Sequence, residues 1–66
     1  MNPKVESLLL DLKQILEQKK LDSIGMFYFR MRHKEIKQKD WKYRIRELVR
    51  NNKIEIFGET QQLRPI

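Results

Sequence analysis

Apolar residues recur near the start of the chain at Val5, Leu8, Leu9, Leu12, Ile15 and Leu16, with spacings of three, one, three, three and one. That broad stripe follows a 3.6-residue period and predicts an amphipathic helix. Asn2 and Pro3 supply its start, a capping side chain followed by a proline placed where a backbone N–H is orphaned in any case. Lys19 and Lys20 close it against the negative end of the helix dipole. The stripe is wider than one short partner covers, and Leu10 lies outside it. Val5, Leu9, Leu12 and Leu16 taken alone make an a/d seam about two heptads long. Core packing is the first expectation for this helix, and a homodimer through those four residues is the second.

Periodicity does not decide the next stretch, "LDSIGMFYFRMRHKEI". Phe27, Phe29 and Met31 alternate with Tyr28, Arg30 and Arg32 as on a strand, yet Ile24, Phe27, Tyr28 and Met31 equally form a helical face. Asp22 or Ser23 can cap a helix, whereas Gly25 weakens one and the aromatic density favours a strand. Aromatics interleaved with arginine also suit a base-stacking platform built on Met26 to Met31. In so short a chain, however, they are scarce core material, and core packing is the first expectation for them.

"DWKYRIRELVRNNKIEIFG", residues 40 to 58, changes its hydrophobic period in mid-course. With Asp40 as N-cap, Trp41, Ile45, Leu48 and Val49 cluster on one side of a helix together with Asn52, and that side is expected to be buried. The other side carries Tyr43, Arg46 and Arg50, with Lys42 beside them and Lys39 just before the cap. Glu47 can pair with Arg44 or Arg50, a local interaction worth a few tenths of a kcal/mol, and Arg46 has no such acid. Asn51 and Asn52 are a stop signal, because asparagine tolerates the left-handed backbone that ends helices. Beyond them Ile54 and Ile56 alternate with Glu55, and a two-residue turn at Gly58 and Glu59 predicts a hairpin. Its register would set Phe57 against Thr60, Ile56 against Gln61, Glu55 against Gln62 and Ile54 against Leu63. Pro65 cannot donate to a ladder and is expected to confine the returning strand to an edge.

Charge adds a direction to this pattern. Of the net +6, residues 23 to 53 hold five Lys and five Arg against Glu35, Asp40 and Glu47, while residues 1 to 22 are balanced and the tail from Ile54 is slightly acidic. A positive field concentrated in the middle third attracts a polyanion more readily than an acidic small molecule. The 66 residues allow one domain, residues 1 to 66, with a thin stability margin. Cysteine is absent, which excludes disulfides, thiolate zinc sites and thiol nucleophiles. No apolar run approaches the roughly 18 residues of a membrane span, so a soluble protein, cytoplasmic or nucleoid-associated, is expected with no membrane partner.

In this order the pieces resemble a winged helix-turn-helix DNA-binding domain. The resemblance rests on "IKQKDWKYRIRELVRNNKIEI", with Ile36 as the turn hydrophobe, Trp41, Ile45 and Leu48 as the inner face of the recognition helix, and Ile54 and Ile56 in the first wing strand. From Ile36 the steps are five, four and three residues, as in that family's pattern. The fold it implies is α+β: an N-terminal helix, an aromatic helix or strand, a recognition helix and a C-terminal β-hairpin wing. It also implies double-stranded DNA as partner, with the helix at 40 to 51 in the major groove. Arg46 and Tyr43 would face base edges, Lys39, Lys42 and Arg50 would engage phosphates, and Gln61 and Arg64 in the wing would reach flanking backbone or minor groove. A transcriptional regulator or a phage- or plasmid-type accessory factor fits such a domain.

Catalysis finds no support in the residues. His33 stands between Arg32 and Lys34 without cysteine or a neighbouring carboxylate pair, and Gly25 and Gly58 are isolated, so no triad, metal cluster or phosphate loop is expected. Neither enzyme activity, cofactor, metal nor small-molecule substrate is predicted. Two other readings of the basic middle third are RNA or single-stranded nucleic-acid binding through an aromatic sheet at 26 to 31, and a protein-interaction module for an acidic partner.

Overall fold

A computed structural model describes residues 1–66. Helix α1 spans Pro3–Lys19 and starts as predicted, with the Asn2 carboxamide oxygen accepting the Lys4 N–H at 2.8 Å. It ends at Lys20, whose left-handed φ of 56° terminates the helix. All six stripe residues are buried in the single core. Val5, Leu9, Leu12 and Leu16 are therefore covered by the chain's own fold, and the expected dimer seam through them is not free; on α1 only Leu10 remains as a large exposed aliphatic inside the helix.

The ambiguous stretch resolves into both templates. Ile24–Gly25 form a two-residue strand, β1, and Met26–Met31 form a short helix, α2. The aromatic sheet at 26 to 31 required by the alternative, single-strand reading is thus overturned: in a helix Phe27 and Phe29 point apart, and they are 77% and 0% exposed. Phe29 meets Trp41 and His33 edge-on, with ring centroids 5.4 and 5.1 Å away.

Helix α3 spans Gln38–Arg50, so the chain becomes helical before Asp40, and Lys37 rather than Asp40 is the N-cap. The cause lies in the preceding turn. Arg30 donates from Nη1 to the His33 carbonyl at 2.7 Å, from Nη2 to the Ile36 carbonyl at 2.8 Å and from Nε to the Gln38 side chain at 3.3 Å. With Ile36 buried beneath it, this clamp starts α3 at residue 38. Asp40, now in the first turn, accepts both Nε and Nη2 of Arg44, so Arg44 pairs with Asp40 and Glu47 is left to Arg50 at 3.5 Å. Trp41, Ile45 and Leu48 are buried as expected, but Val49 is 42% exposed. It lies about 80° round the helix from Trp41, at the margin of the stripe. Asn52, exposed with φ 58°, ends the helix.

Strands β2 (Ile54–Phe57) and β3 (Gln62–Pro65) form the C-terminal hairpin, with β3 between β1 and β2 in an antiparallel sheet. The register differs from expectation: Ile54 pairs with Pro65, Glu55 with Arg64, Ile56 with Leu63 and Phe57 with Gln62. The connection is Gly58 to Gln61, closed by the Gln61 N–H to the Gly58 carbonyl at 3.1 Å, with Gly58 at φ 76° and Gln61 at φ 51°. Leu63 thereby pairs with Ile24 on one side and Ile56 on the other, which a two-residue turn would not allow. Nor does Pro65 force an edge position. Register and the Ile66 N–H to Lys53 carbonyl bond direct the missing Pro65 N–H away from β2, and β1 stops before reaching it. Ile54 is buried, but Ile56, expected in the core, is 38% exposed at the open edge of the sheet. The whole is a compact α+β domain of three helices and a three-stranded antiparallel sheet, and no helix is long and apolar enough to cross a membrane.

Candidate functional site

Gln38, Lys42, Arg46 and Arg50 recur every fourth residue and make one ridge along α3. The ridge borders a trough of about 610 Å³ between α3 and the hairpin, with Met26, Trp41, Ile45, Val49 and Ile56 supplying its apolar surface and Gln61 its end. Four of the residues predicted to bind nucleic acid, Lys42, Arg46, Arg50 and Gln61, therefore border one space. Lys39 and Tyr43 occupy the adjoining exposed surface of the same helix.

Arg64 is not brought to this space. It stands directly across the ladder from Glu55, with Nη2 2.7 Å from the Glu55 carboxylate, and its guanidinium lies 4.3 Å from the Phe57 ring centroid. Alternation along β2 and β3 sets that group on the sheet face opposite Ile54, Ile56 and Leu63.

The charge on the ridge is little compensated. Lys39, Lys42 and Arg46 make no ion pair, and the Arg50 contact to Glu47 is long at 3.5 Å. Asp40 faces away and is spent on Arg44, whose hydrogen bonds hold its carboxyl below the usual value. Two other cations have structural tasks: Arg30 clamps the turn and stacks 5.1 Å from the Trp41 ring centroid, and Arg44 braces the first turn of α3.

His33 acquires the carboxylates that its sequence neighbourhood did not suggest. Nε2 is 2.6 Å from Asp11 of α1 and Nδ1 is 3.2 Å from Glu35, while the ring stacks on Trp41 at 6.0 Å. The Glu35 carboxyl is held below its ordinary value by its own backbone N–H and then by His33. This cluster ties α1 to the turn before α3. Together with the Arg30 clamp it sets the direction in which the ridge is presented.

Sequence reasoning missed Val49 and Ile56 as exposed members of the trough, and Met26 and Gln38 as parts of its lining. Only Val49 carried a signal, its position at the edge of the helical stripe. Comparison with protein-family models, with curated proteins and with solved structures finds no match for this chain.

Proposed function

We propose that the chain is a duplex DNA-binding domain of the winged helix type, with α3 inserted in the major groove and the β2–β3 hairpin beside it as the wing. The observation that carries this reading is the little-compensated cationic ridge of Lys42, Arg46 and Arg50 on an exposed helix, with Lys39 and Tyr43 alongside. An α-helix with its side chains is about 10–12 Å across, which matches a major groove about 12 Å wide. The element order supports it too: a short helix, a turn held by buried Ile36, a longer helix and then a hairpin directly after it. Arg46 and Tyr43 address base edges, and Lys39, Lys42 and Arg50 address phosphates. Gln61 approaches the DNA from the wing, whereas Arg64 contributes only by leaving Glu55. The biological role we infer is that of a transcriptional regulator or a phage- or plasmid-type accessory factor.

Fluorescence anisotropy with short labelled duplex DNA, single-stranded DNA and RNA at about 50 and about 200 mM salt tests the reading. Duplex DNA should bind best, and three phosphate contacts should give a slope of about −3 in log affinity against log salt. Equal affinity for all three probes, or duplex binding indifferent to salt, would overturn it. The apolar trough beside the ridge favours one second reading, a site for an acidic amphipathic segment of another protein. Such a complex would be anchored by apolar contact and would lose less affinity as salt rises.

A further inference from the structure

We propose that Val49, backed by Ile56, reads the 5-methyl group of thymine. The inference rests on the duplex-DNA reading of α3 and names what part of the base edge this surface recognises. Val49 lies three residues after Arg46 and seven after Lys42, so all three share one side of the helix and border the same trough. It is an aliphatic side chain left 42% exposed amid cations, and across the trough Ile56 is 38% exposed. Neither belongs to the buried core, which around this trough is made of Trp41, Ile45, Leu48, Ile54 and Leu63.

The chemistry of the major groove restricts what such a surface can meet. Its edges present hydrogen-bond donors and acceptors from all four bases, and one apolar group, the thymine C5-methyl. Lys42, Arg46 and Arg50 direct their charged ends to phosphates and to guanine O6 and N7, which leaves the methyl group to an aliphatic side chain. Val49 supplies it, with Ile56 excluding water from the far side. Recognition would then combine a hydrogen-bonded guanine with a thymine nearby.

The test begins with a pool of short random duplexes enriched for binding to the full chain. The recovered duplex is remade with deoxyuridine in place of thymine, one position at a time, which removes the methyl group and keeps the pairing. At a contacted position wild-type affinity should fall about four-fold, the equivalent of leaving one methylene-sized group unburied. Val49→Ser should bind the thymine duplex with that same reduced affinity and should not distinguish thymine from uracil. Ile56→Thr should show a smaller loss of discrimination. Both positions are exposed, and circular dichroism checks that each variant is folded. Wild-type indifference to uracil at every position overturns the inference while leaving duplex binding intact, and so does undiminished discrimination in Val49→Ser. Failure to enrich any duplex overturns the DNA reading and this inference together.

Discussion

Replacing Phe27 and Phe29 separately by alanine tests the placement of the aromatic stretch. If residues 26 to 31 formed a strand, these two side chains would share a face, and their truncations would have similar consequences. In helix α2 they point apart, with Phe29 0% and Phe27 77% exposed. Truncating a buried phenylalanine costs about 3–5 kcal/mol through lost transfer energy and the cavity left behind. Here the lost contacts include edge-on packing against Trp41 and His33, each pair worth about 0.5–1.5 kcal/mol as part of that total. A chain of 66 residues has a stability of about 3–10 kcal/mol at the usual value per residue. Phe29→Ala should therefore leave the protein unfolded or lower its Tm by about 12 °C at the least. Phe27→Ala removes an exposed ring and should stay within about 0.5 kcal/mol of wild type. Thermal melts followed by circular dichroism and by the fluorescence of Trp41, the only tryptophan, read both variants. Matched losses in the two, or a Phe29→Ala protein as stable as wild type, would refute α2 and the core drawn around it.

Arg30→Lys should lose about 1.5–3 kcal/mol in urea titration, because lysine lacks the rigid planar fork that reaches the Gln38 side chain and the His33 and Ile36 carbonyls together; an unchanged midpoint would show that the clamp does not hold the turn. The Asp40 carboxyl is depressed below its ordinary value of 3.8 by hydrogen bonds from Arg44, so its contribution to stability is present above that value and is lost as pH falls through the lower folded-state value. Melting wild type and Asp40→Asn across this acid range should give a shallower acid decline in the variant, and parallel declines would remove the pair from the account. On α3, Arg46→Ala should flatten preference among duplexes, losing roughly 1–3 kcal/mol of discrimination. Lys42→Ala should weaken all duplexes alike and reduce the salt slope by about one. If neither substitution changes duplex affinity at low salt, α3 is not the reading helix.

What the sequence made legible depended on where each residue's partner lies. The α1 stripe and its Asn2 cap follow from spacing within one element, where six periodic residues leave little ambiguity, and on α3 the buried Trp41, Ile45 and Leu48 set the cationic residues on the other side in the same way. The errors arise where a partner lies on a different element. Asp40 has the chemistry of an N-cap, but Arg30, eight residues before the start of α3 at Gln38, holds the turn so that the helix begins sooner. Strand β1 has two residues, too few to display any period, yet it governs the hairpin register because Leu63 must serve both Ile24 and Ile56. The register error was two residues, which keeps every side chain on its expected face, so the alternation that excludes a one-residue slip cannot detect it. That shift sets Arg64 opposite Glu55, while alternation holds it on the face away from Leu63 and the ridge in either register. The same dependence explains the exposed aliphatics: Val49 and Ile56 belong to correctly periodic patterns, but only the distance between α3 and the edge strand decides whether the patterns meet or leave a trough. A hydrophobic period identifies the side of an element that can be buried, whereas the tertiary partner determines how much of that side is covered. The uncovered remainder, bordered here by Lys42, Arg46 and Arg50, is where a ligand has apolar and charged groups available together.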